Sequence, residues 1–469
     1  MRPGPSVEDP ARGGGAGPDA TKQRSALVHA VAELGEFAAS FALDDLGDDD
    51  REALDRVVID TLGVTVAGAR TPEHRALVTA TASSGSGPAR PLGTTVRVPV
   101  ESAALLDGTA SCMLELDEGN KFVRGHPAAH AVPAVLALAA SVPVTADELL
   151  EAILVGHEVA ARFGRAVRLT PGFHPHGNWG VTGAAAAAAR LVGCDPSGIA
   201  GAIDAAAGLA LAAPFDAALE GTFVRNTWMG TAAVSGILAA RLARAGLTTN
   251  DGTGMTTFGQ LIGTLDVAAL TEDLGQRLDI GLGYLKIHAS CSYTHPPIDA
   301  AIALRGEGLL DVGRIVDVEI RTHRLAVPLS RAAPPTRLAA MFSIPHLVAV
   351  ALHRGRVGID ASGDEMREDP AVTSLAARVR VVNEPTHDAR GPDERPAMVR
   401  VTLDDGTVRE HEVPNPVGDA AHHPLDRDGV VEKLTGLIGA DDTRAITQAV
   451  TDIHRRPGML ASELLDALP

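Results

Sequence analysis

Four segments of the chain set histidine, basic or acidic residues directly before a run of small apolar residues. The first segment reads ELDEGNKFVRGHPAAHAVPAVLALAA and contains Glu115, Asp117, Asn120 and His126 ahead of its apolar half. Histidine can accept and donate a proton near neutral pH, so His126 is a candidate general acid or base. A nearby carboxylate could orient that histidine or bind a substrate hydroxyl group.

The other three segments add a second histidine and two cations to this set. GFHPHGNWGVTG contains His174, EGTFVRNTWMG contains Arg225, and YLKIHASCSYTHPPIDAAI contains Lys286 and His295. Arginine can hold a carboxylate through two parallel hydrogen bonds, whereas lysine supplies a compact charge. If the helix N-termini that follow these segments point into one cavity, that cavity favours an anionic ligand.

Each of these residues also has a structural interpretation. A histidine next to a helix start could cap or hydrogen-bond the helix terminus, and Arg225 alone could form a structural ion pair. The spacing of His126 with His130, and of His174 with His176, could suggest zinc, but neither pair comes with a recognisable third ligand. The sequence therefore predicts no metal site, and the conjunction of four segments favours a binding cavity over isolated capping.

Composition narrows the class of protein. The chain of 469 residues has a formal net charge of −18 and no basic run, which argues against a nucleic-acid partner. Its three widely spaced cysteines give neither a disulfide framework nor a CxxC zinc motif. Neither an apolar signal segment nor a run of about 18 strongly apolar residues occurs. We expect a cytoplasmic protein that has no membrane partner and binds a small anionic molecule.

Hydrophobic spacing divides the chain into a large helical part and a smaller mixed part. The Gly/Pro-rich stretch 1–26 is expected to be a disordered tail, and residues 27–275 have apolar residues at helical spacing. In residues 276–420, β-rich runs surround one helical segment, and the Asp-Gly pair in TLDDGTVRE predicts a hairpin turn. Residues 421–469 are helical again and return to the first domain. The predicted fold class is mostly α: a large all-helical domain with an inserted smaller α+β lid domain, and a cleft between the two.

Three of the four segments resemble motifs of the MmgE/PrpD family. GFHPHGNWGVTGAAAAAARLVGCD is similar to its histidine–proline segment, and LKIHASCSYTHPPIDAAI to its lysine segment ending in Thr-His-Pro. ELDEGNKFVRGHPAAHAVPA resembles its acidic segment followed by His-Pro, and the segments keep the family's order. The resemblance implies a large helical domain, a smaller lid-like α+β domain, frequent homodimers and no required metal or other cofactor.

The resemblance also implies roles for individual residues. His126 and His174 match the two histidines of the family, Lys286 matches its lysine, and Arg225 stands where many members have lysine. The residues expected to be catalytic are His126, His174, Lys286 and Asp117. The residues expected to bind substrate are Arg225, Glu115, Asn120 and His295. Neither of the two tyrosines, Tyr284 and Tyr293, has a visible match to the lid tyrosine that some members use.

The reactions of this family remove a proton or a carboxylate from a carbon flanked by carboxylates. Negative charge then builds on an enolate-like intermediate, which Arg225 and Lys286 would stabilise. The preferred function is a cofactor-independent lyase that dehydrates a 2-methylcitrate-like hydroxy acid by general acid/base catalysis. A decarboxylase of the cis-aconitate type or an epimerase of the iminodisuccinate type are the alternatives with the same fold. A non-catalytic helical scaffold is the alternative of a different class.

Overall fold

The computed structural model describes residues 18–83, 85–306 and 311–469. Most of the predicted tail therefore lies outside the described residues, but the first helix begins at Pro18 rather than at residue 27. The larger domain consists of helices α1 (Pro18–Ser40), α2 (Asp48–Ala69), α3 (Pro72–Ala82), α4 (Val100–Ser111), α5 (Pro127–Ala139), α6 (Ala146–Ala166), α7 (Val181–Leu191), α8 (Pro196–Ala207), α9 (Asp216–Leu219), α10 (Val224–Arg244) and α11 (Thr253–Thr256), with a small antiparallel pair formed by β1 (Val167–Leu169) and β2 (Gly263–Leu265).

Small residues allow the central helices of this domain to approach closely. A Cβ atom placed on Gly183 of α7 would lie 2.2 Å from the carbonyl oxygen of Gly156 in α6. The alanines of α7 between these helices are fully buried. Helix α6 begins with a capping box, in which Thr145 accepts a hydrogen bond from the Glu148 N–H and the Glu148 side chain returns to the Thr145 N–H. The close packing makes a rigid wall for the loops that precede α5, α7 and α10.

The smaller domain contains α12 (His295–Gly306), β3 (Ile315–Thr322), α13 (Arg337–Ala340), α14 (Ile344–Arg354), α15 (Asp364–Glu368), α16 (Pro370–Ala376), β4 (Val379–Asn383), α17 (Pro385–Asp388), β5 (Ala397–Leu403) and β6 (Val408–Val413). The strand order is β4-β3-β5-β6, with β3 parallel to β4 and the other neighbours antiparallel. Gly406 has a φ of 83° in the β5–β6 hairpin turn, which confirms the turn predicted from the Asp-Gly pair.

The last three helices, α18 (Arg427–Ile438), α19 (Ala440–Arg455) and α20 (Ala461–Ala467), return to the larger domain. Their apolar residues belong to the same core as α1 to α8, whereas a second core lies in the α+β domain. The predicted fold class, a large helical domain with an inserted α+β domain, is confirmed. The segment around Leu278 and Leu285 packs in the larger core, although the sequence assigned residues from 276 onward to the lid. Among the described residues, no helix is long and apolar enough to cross a membrane.

Candidate active site

The loop between α4 and α5 brings the acidic segment into the interior through a strained backbone. Glu115 has a φ of 52°, in the left-handed region that residues other than glycine rarely adopt. Asn120 organises the following turn, because its N–H donates to the Gly125 carbonyl at 2.9 Å and its side-chain oxygen accepts from the Phe122 N–H at 2.9 Å. Its amide nitrogen donates to the Asp279 carbonyl at 3.2 Å. Asn120 thus holds the shape of the loop.

Two carboxylates and two cations form a buried ionic chain at the base of the site. Lys286 Nζ lies 3.0 Å from Asp117 Oδ1 and 3.5 Å from Glu115 Oε2. The other oxygen of Glu115 accepts a hydrogen bond from Arg225 Nη1. Burial would raise the pKa of Asp117, but the neighbouring His126 ring and the positive charges of Lys286 and Arg225 together lower it to about 2. The structural ion-pair interpretation of Arg225 is therefore correct, and the pair lies inside the site.

His126 is held in one tautomer. Its Nδ1 lies 2.6 Å from the carbonyl oxygen of Glu118, which can only accept a hydrogen bond, so Nδ1 carries the proton. Asp117 Oδ2 lies 3.1 Å from the same nitrogen. The lone pair is therefore on Nε2, which has no hydrogen-bond partner among the described residues. Burial lowers the pKa of His126 against the opposing effect of Asp117, so the ring is neutral at pH 7.

The capping interpretation is wrong for this histidine. His126 is the N-cap residue of α5, but its side chain accepts no hydrogen bond from the helix. Glu118 fills that role, since its Oε2 accepts from the Ala128 N–H at 3.1 Å. Its other oxygen lies 3.3 Å from His157 Nε2. The side chain that caps this helix is therefore that of Glu118 and not that of His126.

His174 is held in the complementary tautomer. Its Nδ1 accepts the backbone N–H of His176 at 3.1 Å, so the proton of the neutral ring is on Nε2. Arg225 Nε lies 3.5 Å from that nitrogen, so two N–H groups face each other with no acceptor from the part of the chain that the structure describes. We assign the tautomer from the shorter contact, because a neutral imidazole can accept at only one nitrogen. Burial and the Arg225 charge lower the pKa of His174 well below its usual value.

His176 and His130 complete the cluster of histidines. Arg225 Nη2 donates to His176 Nε2 at 3.2 Å, which leaves the buried Nδ1 of His176 without a partner among the described residues. His130 has both nitrogens satisfied: Nδ1 donates to the His126 carbonyl at 2.9 Å and Nε2 accepts from the Gly177 N–H at 3.2 Å. His130 therefore ties the two histidine loops together and is a structural residue.

A cavity of about 430 Å³ opens above these groups, between the helical domain and the lid. Its polar residues at the base are Glu115, His126, His174, His176, Arg225 and Lys286. Its apolar wall includes Val123, Leu169, Phe173, Phe215, Leu219 and Phe342. The volume lies within the range of ligand sites, about 300–1,000 Å³, and the combination of polar groups at the base with an apolar wall matches the usual composition of such sites.

Three of the residues expected at the site lie outside the cavity lining. Asp117 lies directly behind His126 and Lys286, so it acts through them. Asn120 is buried in the loop turn. His295 starts α12, where its Nε2 lies 3.3 Å from the Ser290 carbonyl oxygen, and it does not line the cavity.

Sequence reasoning missed several residues that line the cavity: His176, Tyr284, Tyr293, Arg124, Arg324 and Arg395. His176 was visible, because it follows His174 by two residues in the same segment. The lid arginines, Arg324 and Arg395, could not be identified from the sequence, because they lie in loops far from the four segments. Tyr284 and Tyr293 carry no signal either, because neither has a visible match to a family position.

One group of three side chains has the donor atoms of a metal site. Asp117, His126 and His176 each offer one ligand atom, and these atoms lie within 4.8 Å of one another. A dication there would lie next to the ammonium group of Lys286 and the guanidinium group of Arg225. His126 Nδ1 is also committed to the Glu118 carbonyl. The donor set therefore fits a metal poorly, and the absence of a metal requirement stays a prediction.

Comparison with known proteins identifies the family of the chain. The MmgE/PrpD N-terminal domain matches residues 32–260, and the MmgE/PrpD C-terminal domain matches residues 288–454. A cis-aconitate decarboxylase of Aspergillus terreus is 24% identical over 456 residues, covering 90% of this chain and 92% of that protein. A cis-aconitate decarboxylase of Mus musculus is 25% identical over 383 residues, covering 75% of each chain. Since the two domain models together match most of the chain, the protein belongs to the MmgE/PrpD family.

Proposed function

We propose that the protein is a cofactor-independent lyase that dehydrates a 2-methylcitrate-like hydroxy acid. One observation carries the proposal: the neutral His126 presents the lone pair of Nε2 in a cavity whose base contains Lys286 and Arg225. A base beside paired cations is the arrangement needed to remove a proton from a carbon next to a carboxylate. The family and its action on small carboxylic acids support the same class of substrate.

In the first step, His126 Nε2 takes the proton from the carbon next to a substrate carboxylate. The electron pair of the broken C–H bond moves into that carboxylate, which becomes an enolate-like group with additional negative charge. Asp117 lies 3.1 Å from Nδ1 and stabilises the imidazolium that forms. Its role is to orient and stabilise the base rather than to take the proton itself.

The negative charge that develops on the intermediate is stabilised best by hydrogen-bond donors that are already in position before the reaction. The nitrogens of His174 Nε2–H and Arg225 Nε–H lie 3.5 Å apart and have no acceptor among the described residues, so a carboxylate oxygen beside the pair, within hydrogen-bond distance of both nitrogens, would satisfy both. A neutral histidine can act as such a hydrogen-bond donor, because its pKa is lowered by its surroundings. Lys286 adds a second positive charge at the base of the cavity.

In the second step, the C–O bond of the neighbouring carbon breaks and the electron pair of the enolate forms the double bond. The leaving hydroxide takes the proton from the His126 imidazolium and departs as water. His126 returns to its starting tautomer, and the product is an unsaturated acid with the same number of carboxylates. Proton, hydroxide and electron pair are all accounted for without a cofactor.

Decarboxylation is the second candidate, and the relatives favour it. All the curated relatives named above are cis-aconitate decarboxylases. That reaction must deliver a proton to carbon after carbon dioxide leaves, whereas the resting His126 has a lone pair to accept one. The tautomer of His126 therefore favours dehydration. An epimerase of the iminodisuccinate type would need only the removal and return of a proton, and a non-catalytic scaffold would need neither.

Proton NMR of the purified protein with a panel of di- and tricarboxylic acids in deuterated water separates these functions. Dehydration of a 2-methylcitrate-like acid converts the methyl doublet of the substrate into the singlet of a methyl group on a double bond, decarboxylation releases carbon dioxide, and epimerisation exchanges one C–H for deuterium without loss of water or carbon dioxide. We expect dehydration of a methyl-substituted hydroxy tricarboxylate. Carbon dioxide release from cis-aconitate without water loss from any hydroxy acid would select the second candidate, and an inert panel would favour the scaffold.

A further inference from the structure

Three arginines that line the cavity have no carboxylate partner among the described residues. Arg124 belongs to the loop before α5, Arg324 follows β3, and Arg395 precedes β5. None of the three forms an ion pair with a carboxylate in residues 18–83, 85–306 or 311–469. Together with Arg225 and Lys286 they make five cationic side chains around the cavity, against the two carboxylates of Glu115 and Asp216. This local excess of positive charge contrasts with a net charge of −18 for the chain.

Arg395 is held in place by aromatic rings rather than by a counter-ion. Its guanidinium group lies 5.5 Å from the ring centre of Tyr284 and 5.4 Å from that of Tyr293. Its Nη1 donates to Ser292 Oγ at 3.2 Å. Burial raises the pKa of both tyrosines, so neither phenol provides a negative charge at neutral pH. The charge of Arg395 is thus preorganised and left unneutralised.

Arg124 reaches the same region from the helical domain through an unfavourable backbone conformation. Its φ is 57°, a left-handed value that is uncommon for a residue with a Cβ atom. Its N–H donates to the Asn120 carbonyl at 2.9 Å, which fixes it in the turn that Asn120 organises. The backbone N–H of Arg324 donates to Asp388 Oδ1 at 2.7 Å. Both backbones are therefore anchored while both side chains line the cavity.

We propose that Arg124, Arg324 and Arg395 form a second anion subsite, which binds a substrate carboxylate remote from the reacting carbon. This inference rests on the proposed function for the position of the reacting carbon, and it adds the residues that would select a tricarboxylic acid over a dicarboxylic acid. The inner carboxylate binds to Arg225 and His174, and the remote carboxylate binds to the three arginines. Because two of them come from the lid and one from the helical domain, the remote carboxylate also links the two domains.

Binding of unreactive acids tests the subsite without requiring turnover. Isothermal titration of the wild-type protein compares propane-1,2,3-tricarboxylate with propane-1,2-dicarboxylate, which lacks one terminal carboxylate. We expect the tricarboxylate to bind at least tenfold more tightly, and Arg395→Gln to remove most of that preference by weakening the tricarboxylate alone. Arg124→Gln, at an exposed position, should weaken it in the same direction. Arg356→Gln is the matched control, because that exposed lid arginine pairs with Asp360 on the surface.

Equal affinity of the wild-type protein for the two acids would overturn the inference, as would an equal loss of affinity for both acids in the Arg395→Gln and Arg124→Gln variants. Unfolding curves of the variants check that the fold is retained, and Arg124→Gln keeps the test valid if Arg395→Gln does not fold. The outcome is separable from that of the proposed function. If the protein prefers the tricarboxylate but dehydrates no hydroxy acid, the subsite is supported and the proposed dehydratase function is contradicted. If it dehydrates a hydroxy acid but does not prefer the tricarboxylate, the dehydratase function is supported and the subsite is contradicted.

Discussion

Lys286 Nζ lies 3.0 Å from Asp117 Oδ1, and both side chains are almost completely buried. A buried ion pair of this kind is costly to break, because removal of one partner leaves a charge without compensation, typically at about 3–5 kcal/mol. The contact therefore couples the stability of the domain to the electrostatics of the site. A substitution of Lys286 is therefore expected to lower the stability of the domain as well as the activity.

Lys286→Met should lose both activity and stability. The lysine is expected to stabilise the intermediate, and it also compensates the charges of Asp117 and Glu115. We expect a decrease of about 3 kcal/mol in the free energy of unfolding, with turnover below about 1% of wild type. Urea unfolding and steady-state kinetics measure the two effects. Wild-type stability with full loss of turnover would contradict the ionic role of Lys286.

Arg225→Lys should be more harmful than the family resemblance, which matches this position to a lysine in many members, implies. Arg225 uses three nitrogens, which contact Glu115, His174 and His176 separately. A lysine can keep the pair with Glu115 but cannot reach both histidines in the same geometry. We expect kcat/KM to fall by roughly 10²-fold. A variant with kinetics within threefold of wild type would show that Arg225 acts only as a point charge.

His126→Asn and His130→Asn should have opposite effects, although the two histidines lie one helical turn apart. Loss of the His126 base should reduce turnover by roughly 10²- to 10⁴-fold with little change in melting temperature. His130 joins two loops through both ring nitrogens, so His130→Asn should lower the free energy of unfolding by about 1–3 kcal/mol. Paired kinetic and calorimetric measurements on the two variants check this. Near-normal turnover of His126→Asn would end the catalytic interpretation of His126. His174→Asn should also reduce turnover, by removing a donor to the intermediate.

Stability should decrease as the pH falls below about 6.5, because several buried histidines must remain neutral in the folded protein. Burial lowers the pKa of His130 to about 4 and that of His323 to about 4. The unfolded chain then binds more protons than the folded chain between about pH 6.5 and 4, so the contribution of each ring is complete above that window and lost within it. Each such histidine should cost about 2 kcal/mol at pH 5 relative to pH 7. Thermal unfolding between pH 5 and 8 measures this, and a flat profile over the range would contradict it.

The protein is predicted to be a homodimer that associates through the helical domain. Helix α10 exposes Val224 and Leu238, which supports a contact surface on that side. Sedimentation at micromolar concentration should therefore give twice the monomer mass, and Leu238→Asp should shift it toward monomer. A monomer under all conditions would contradict the prediction.

Prolonged chelation in the same preparation should leave activity unchanged, whereas activity that follows bound zinc or iron would require a metal.

The sequence predicts the helical body and the hairpin well because both rest on local periodicity and turn chemistry. The runs of alanine and the Asp-Gly pair determine those elements without long-range information. Only part of the site can be predicted from the sequence: the four segments indicate His126, His174, Arg225 and Lys286. Arg395 and the role of His130 could not be predicted, because each depends on contacts between segments far apart along the chain. The same holds for His295, whose place in a recognisable motif says nothing about which way its side chain points.

The backbone connections around Gly119 have a further consequence for folding. Gly119 and Tyr284 exchange two hydrogen bonds, and Leu285 donates to the Gly418 carbonyl at 3.0 Å. The loop that carries Asp117 is thus completed by a segment from the middle of the chain and another from near its end. Contacts between residues so far apart along the chain form slowly, because the intervening loops must lose conformational entropy before the contacts can form. The loop that carries Asp117 is therefore expected to be complete only when the segments around Tyr284 and Gly418 have both reached it, although every member of the ionic chain lies before residue 287.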